Sequence, residues 1–279
     1  IINKKTLSSF NVNEPVCTDC HSDLMANKTK HSAALDNGCT NCHVSNGKEH
    51  PGDSTVFSLA DKVPTLCFNC HDAINTDISK LAVVHGIVNQ KKFCLNCHSP
   101  HSSNNGKLLL LEGNDQCLSC HNKTLTSGSR KIENIKQLIT NSKVIHPAIE
   151  GGCISCHKPH ASKNNSLLVK SFPEGNYASA TVDAFALCFD CHESGLLKDK
   201  TTTSLTSFRN GTTNLHYVHM NGEKARSCVM CHNLHASNND HLIRDNVAFG
   251  QWELKLNYVS AETGGSCSPG CHTEKKYVR

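Results

Sequence analysis

The feature that most constrains this chain is a five-residue pattern, Cys-x-x-Cys-His, that recurs eight times. It is formed by Cys17, Cys20 and His21; Cys39, Cys42 and His43; Cys67, Cys70 and His71; Cys94, Cys97 and His98; Cys117, Cys120 and His121; Cys153, Cys156 and His157; Cys188, Cys191 and His192; and Cys228, Cys231 and His232. A ninth copy, one residue longer, is Cys267-Ser-Pro-Gly-Cys271-His272. Together the nine copies use all 18 cysteines. Two cysteines three positions apart put both sulfurs on one turn. They can form thioethers with the two vinyl groups of one porphyrin, and the next residue can then bind the iron from the same face. The expectation is nine covalently attached heme c groups. A disulfide scaffold fits an even cysteine count, and zinc ribbons also use Cys-x-x-Cys. Neither requires a histidine directly after the second cysteine, and here it follows every time.

Ten histidines remain: His31, His50, His85, His101, His146, His160, His216, His219, His235 and His241. Nine irons need nine second axial ligands to become six-coordinate, so the count favours bis-histidine ligation over scattered surface histidines. His216 and His241 compete for the last place. His101, three residues after His98, lies on the same side of that heme and is expected to reach the iron of a neighbouring one. His160 and His235 stand in the same relation to His157 and His232. Methionine, the other common distal ligand, is present only as Met25, Met220 and Met230, the last inside its own motif. Bis-histidine ligation implies mostly negative, overlapping potentials.

A larger repeat contains the small one. Three segments read His…CxxCHxxH…CxxCH, led by His85, His146 and His219 and each carrying an aliphatic cluster (KLLLL, NSLLVK, DHLIR). Residues 31–71 form a looser copy in which His50 lies seven residues after His43. The expected organisation is an amino-terminal single-heme segment, 1–30, followed by two-heme units at 31–71, 72–121, 122–192 and 193–279. With 37% hydrophobic and 5% aromatic residues, the chain is poor in large core side chains. At 31 residues per motif, the macrocycles themselves are expected to be the core. The expected fold class is mostly irregular loop with short helices and little strand, wrapped around a continuous chain of nine c-type hemes. Short helical turns should hold the motifs, and Ile132 to Ser142 has helical spacing.

The segments CLNCHSPH…CLSCH, CISCHKPH…CFDCH and CVMCHNLH…CSPGCH resemble the doubled-CXXCH family of multiheme cytochromes from His31 onward. Similar proteins include a periplasmic cytochrome threaded into outer-membrane porin conduits and extracellular cytochromes that polymerise into conductive filaments. The resemblance implies hemes alternating between parallel-stacked and T-shaped contacts in one wire. The sequence departs from the pattern in the His43 to His50 gap and in the CX3CH ending.

No run of 18 or more apolar residues is present, so no transmembrane segment is expected. Heme c attachment occurs outside the cytoplasm, and the chain is read as the mature product of an exported precursor, periplasmic or extracellular at the cell surface. Residue 1 is not cysteine, so no amino-terminal lipid anchor is expected. The formal charge is +4, but nine oxidised hemes with ionised propionates would bring it to roughly −5. The basic balance therefore gives no reason to expect a nucleic-acid partner, and no cluster of five or more Lys/Arg residues supports one. Long-range electron transfer is the expected function. The forms considered are a wire polymerised end to end into a filament, a periplasmic or porin-embedded conduit, and a soluble shuttle. Expected partners are redox cytochromes, copies of the chain, or a porin. An oxyanion reductase would need an iron with an open position and nearby acid/base groups. No histidine shortfall points to one, so no catalytic residue is expected. Asn-x-Ser/Thr matches at Asn27, Asn122, Asn164 and Asn210 are candidate glycosylation sites.

Overall fold

In the computed structural model, residues 17–36, 38–48, 50, 55–128 and 130–279 are described. Much of the expected 1–30 segment lies outside them. Regular structure is sparse and short, as the composition implies. The longest helix described, Asp72–Lys80, has nine residues, and the strands run from two to four residues in small antiparallel pairings. Among the described residues no helix is long and apolar enough to cross a membrane.

Seven of the eight compact motifs close one helical turn, and in the other His43 begins the strand His43–Ser45. The histidine N–H donates to the carbonyl of the first cysteine at 2.9 Å in His21, His71, His192 and His232, and at 3.0 Å in His98, His121 and His157. This bond places the histidine beneath its two sulfurs. The longer ninth motif cannot make it. Cys267 ends the strand Gly264–Cys267, and His272 N–H donates instead to Pro269 O at 3.1 Å.

The expected helix from Ile132 to Ser142 is shorter, Ile135–Asn141. Ile132 ends the strand Arg130–Ile132, which pairs with Leu125–Ser127. Asn134 starts the helix by accepting the Gln137 N–H on its side chain at 2.9 Å, a strong N-cap choice that overrides the apolar spacing before it.

The chain gathers into two compact units, Ile1–Thr76 with Gly86–Gln116, and Asp77–His85 with Cys117–Arg279. The sequence repeats interlock within them. The residues leading into a unit pair with the residues that follow the HxxH segment of the next. Thr29–Lys30 pairs with Ser102–Ser103, Val83–Val84 with Ala161–Ser162, and Val144–Ile145 with Ala236–Ser237. At each junction the leading histidine N–H donates to the HxxH histidine carbonyl: His31 to His101 at 2.8 Å, His85 to His160 at 2.9 Å and His146 to His235 at 2.9 Å.

The HxxH segments fold alike. Ser103 and Ser162 hydroxyls donate to Leu109 O (2.5 Å) and Leu168 O (2.6 Å), and Ser237 to Ile243 O. Asn105, Asn164 and Asn239 amides donate to the same carbonyls at 3.0–3.1 Å. Two residues in each segment adopt positive φ: Lys107 and Leu108, Ser166 and Leu167, His241 and Leu242. Asn164 is thus a turn residue, and Asn27, Asn122 and Asn210 are likewise hydrogen-bonded through their side chains. Fully apolar clusters are small. Phe185, Leu197 and Met220 form one, and Met230, Val247 and Leu256 another, both in the second unit.

Candidate heme-binding site

The motif histidines do not stand alone. Seven of them face a histidine from elsewhere in the chain, ring centre to ring centre. The pairs are His21 with His50 at 6.0 Å, His43 with His101 at 6.1 Å and His71 with His31 at 6.2 Å. In the second unit they are His121 with His85 at 6.3 Å, His157 with His235 at 6.3 Å, His192 with His146 at 6.2 Å and His232 with His216 at 6.4 Å. Six of these ring pairs are within 25° of parallel, and His146 with His192 is tilted by 41°.

These separations are the test of whether the residues fit a heme iron. Two imidazoles on opposite sides of one metal, each bonded at about 2.0–2.1 Å with its ring centre roughly 1.1 Å behind the nitrogen, stand about 6.3 Å apart. The observed spacing matches that value and leaves room for one metal plane between the rings. In several of these histidines, and in His98, the ring nitrogen that points away is held by a backbone carbonyl. His31 and His85 Nδ1 bond Pro100 O and Pro159 O at 2.9 Å, and His98, His157 and His232 Nδ1 bond Lys107 O, Ser166 O and His241 O at 2.8 Å. A proton held on Nδ1 leaves the other nitrogen as the free lone pair. Burial pushes His216 and His235 down to about 4, with further lowering from neighbouring histidines, His232 and His157 respectively. Both are therefore neutral at physiological pH, the form that binds metal.

His101 faces His43 and not its own motif's His98, and His235 faces His157 and not His232. The leading histidines His31, His85 and His146 face the closing motif of their own units. His160 occupies the repeat position of His101 and His235, with its backbone bonded as theirs are.

The last unit is built differently. Helix Leu215–Met220 carries His216 and His219 one turn apart. Fully buried Asn214 caps it, accepting His216 and Tyr217 N–H while its amide donates to Gly195 O, Leu196 O and Asp199 O. His216 meets His232, and His219 lines a cavity of about 310 Å³ together with Cys267 and His272. Of the two competitors for the last place, His216 is the one brought to a motif histidine. His241 stands at the repeat position of Lys107 and Ser166 and contributes its backbone carbonyl to His232. That equivalence was available in the sequence by aligning the three HxxH segments.

The cysteines add an order. First cysteines of successive motifs lie within hydrogen-bonding reach in Cys17 with Cys39, Cys67 with Cys94, Cys117 with Cys153 and Cys188 with Cys228. Second cysteines sense the following motif in Cys42 with Cys70, Cys156 with Cys191, and Cys231 with both Cys267 and Cys271. Two kinds of proximity therefore alternate within each compact unit. Arg226 Nη1 and Arg244 Nε are buried without a protein acceptor. A buried guanidinium calls for an anion, and heme propionates carry that charge.

Comparison with known proteins bears on the motifs themselves. The family described as "Doubled CXXCH motif" matches residues 31–76, 85–126 and 146–196. The chain is also 30% identical over 122 residues to the Multiheme cytochrome MtrA of Shewanella baltica (strain OS185). That alignment covers 42% of this chain and 34% of the relative, so it spans about a third of the relative's length. The paired motifs, which indicate covalently bound heme c, make this chain a multiheme c-type cytochrome of the doubled-CXXCH family.

Proposed function

We propose that the chain holds nine heme c groups, every iron closed by two of its own histidines, and that it conducts electrons along its length outside the cytoplasm. The observation that carries this is the set of seven histidine pairs at 6.0–6.4 Å. Each bound heme would supply a one-electron iron couple. The repeat gives His160 the same distal role as His101 and His235, and the shared cavity gives His219 to the ninth motif. His241 is left out of the ligand set. The alternating cysteine contacts support a continuous order from the first motif through the fourth and from the fifth through the ninth.

The helix Leu215–Met220 bears on how the wire ends. In the earlier units the HxxH histidine of the next unit completes the set. In the unit 193–279 His216, from the helix that also carries His219, takes that place. No iron then depends on a histidine lent by a neighbouring protomer. This favours a discrete conduit, periplasmic, porin-embedded or at the cell surface, exchanging electrons with partner cytochromes, over a filament built by ligand sharing between copies. Intact mass of the purified, exported protein tests the count, and electron microscopy at high concentration tests the assembly. Nine hemes per chain and discrete particles are expected. Fewer hemes contradict the ligand set, and filaments contradict the conduit.

A further inference from the structure

Among the described residues, the motif Cys228-Val-Met-Cys231-His232 touches both apolar clusters, whereas the preceding motif reaches the first of them through Phe189 alone. Cys228 packs against the Phe185, Leu197 and Met220 cluster, and Cys231 against the Met230, Val247 and Leu256 cluster. Its heme would therefore sit between the two apolar clusters. A low-dielectric setting disfavours the more highly charged ferric state and raises the reduction potential.

Two partly buried arginines act in the same direction. The Arg226 and Arg244 guanidiniums both reach Cys231 electrostatically. Arg244 Nη2 donates to His232 O at 3.1 Å, and Arg226 lies over the Tyr177 ring at 4.5 Å. Arg244 replaces the Leu110 and Val169 of the equivalent repeat positions. Positive charge beside a redox centre stabilises its reduced form.

The axial hydrogen bonds add a third contribution. A carbonyl that accepts from histidine Nδ1 makes the imidazole a stronger electron donor and lowers the potential. His219 and His272 of the ninth site both have such a partner, Leu215 O at 2.7 Å and Thr273 O at 2.6 Å. His216 instead meets the Thr206 hydroxyl at 3.2 Å. That oxygen already accepts the Phe208 N–H at 3.0 Å, so it is a weaker acceptor for His216.

We infer that the heme on Cys228 and Cys231 is the highest-potential centre of the chain, held there by Arg226 and Arg244 and by the two apolar clusters, with only the weak Thr206 acceptor on its distal histidine to lower it. This rests on the ligand assignment proposed above. The first electron to enter comes to rest at the eighth of the nine motifs. Thr206 is a positioning residue here, since it acts through His216.

The test is a potentiometric titration of the holoprotein, following the low-spin ferric signals by electron paramagnetic resonance, with intact mass as the control. Arg244→Gln should shift the first-reduced signal to lower potential and leave the others in place. Thr206→Val removes the acceptor and should shift the same signal upward, whereas Thr206→Ser keeps the hydroxyl and should match the parent. With nine hemes present, a first-reduced signal unmoved by Arg244→Gln, or movement of a late-reduced signal instead, overturns the inference. Arg244→Gln and Thr206→Ser decide it even where Thr206→Val loses heme. A parent protein with fewer than nine hemes overturns the ligand assignment instead, so the two failures are told apart.

Discussion

At the residue scale the account assigns each distal histidine to a named iron, and single substitutions separate the assignments. His101→Ala should open the iron of the Cys39–His43 motif and leave that of its own motif closed, because His101 faces His43 at 6.1 Å. One high-spin ferric signal should appear with the heme count unchanged, and no new high-spin signal would contradict the pairing. His216→Ala should likewise open one iron, whereas His241→Ala should open none, since only the His241 carbonyl is engaged with His232. Asn214→Ala removes a fully buried side chain that makes five hydrogen bonds. Its expected cost is about 2–4 kcal/mol, from a lost N-cap and orphaned buried groups. Thermal unfolding measures that cost, and loosened ligation at the last two sites should accompany it. The cysteines and motif histidines were legible in the sequence because their chemistry fixes their spacing. Counting did not choose between His216 and His241, whereas aligning the three HxxH segments puts His241 at the turn position of Lys107 and Ser166.

At the element scale the interlocking strands hold the repeats together with few residues. Ser162 is buried and donates to Leu168 O at 2.6 Å while accepting the Asn164 N–H at 3.0 Å. Ser162→Ala should cost about 1–3 kcal/mol, since it leaves both partners without that oxygen; denaturant unfolding followed by loss of heme-region circular dichroism measures it. The shortness of the strands follows from composition: polar, Asn- and Ser-rich links supply turns, and no apolar alternation extends them. Their pairing was not legible. Val83–Val84 and Ala161–Ser162 join positions 77 residues apart through two-residue strands, too short to show a period. The Ile132 start of the expected helix failed for a local reason, the stronger cap at Asn134.

For the whole molecule, the loop-rich wrap was legible because 37% hydrophobic and 5% aromatic composition leaves no other core for a chain of 279 residues. Strand pairs cross the boundaries between the sequence units, and histidine pairs do so at His43 with His101 and His157 with His235. The central claim is that nine irons are closed by histidines of this one chain. Electron paramagnetic resonance of the fully oxidised, purified protein tests it most directly. The account predicts low-spin ferric signals integrating to nine hemes per chain with no high-spin component; a high-spin component in the monomer would contradict it.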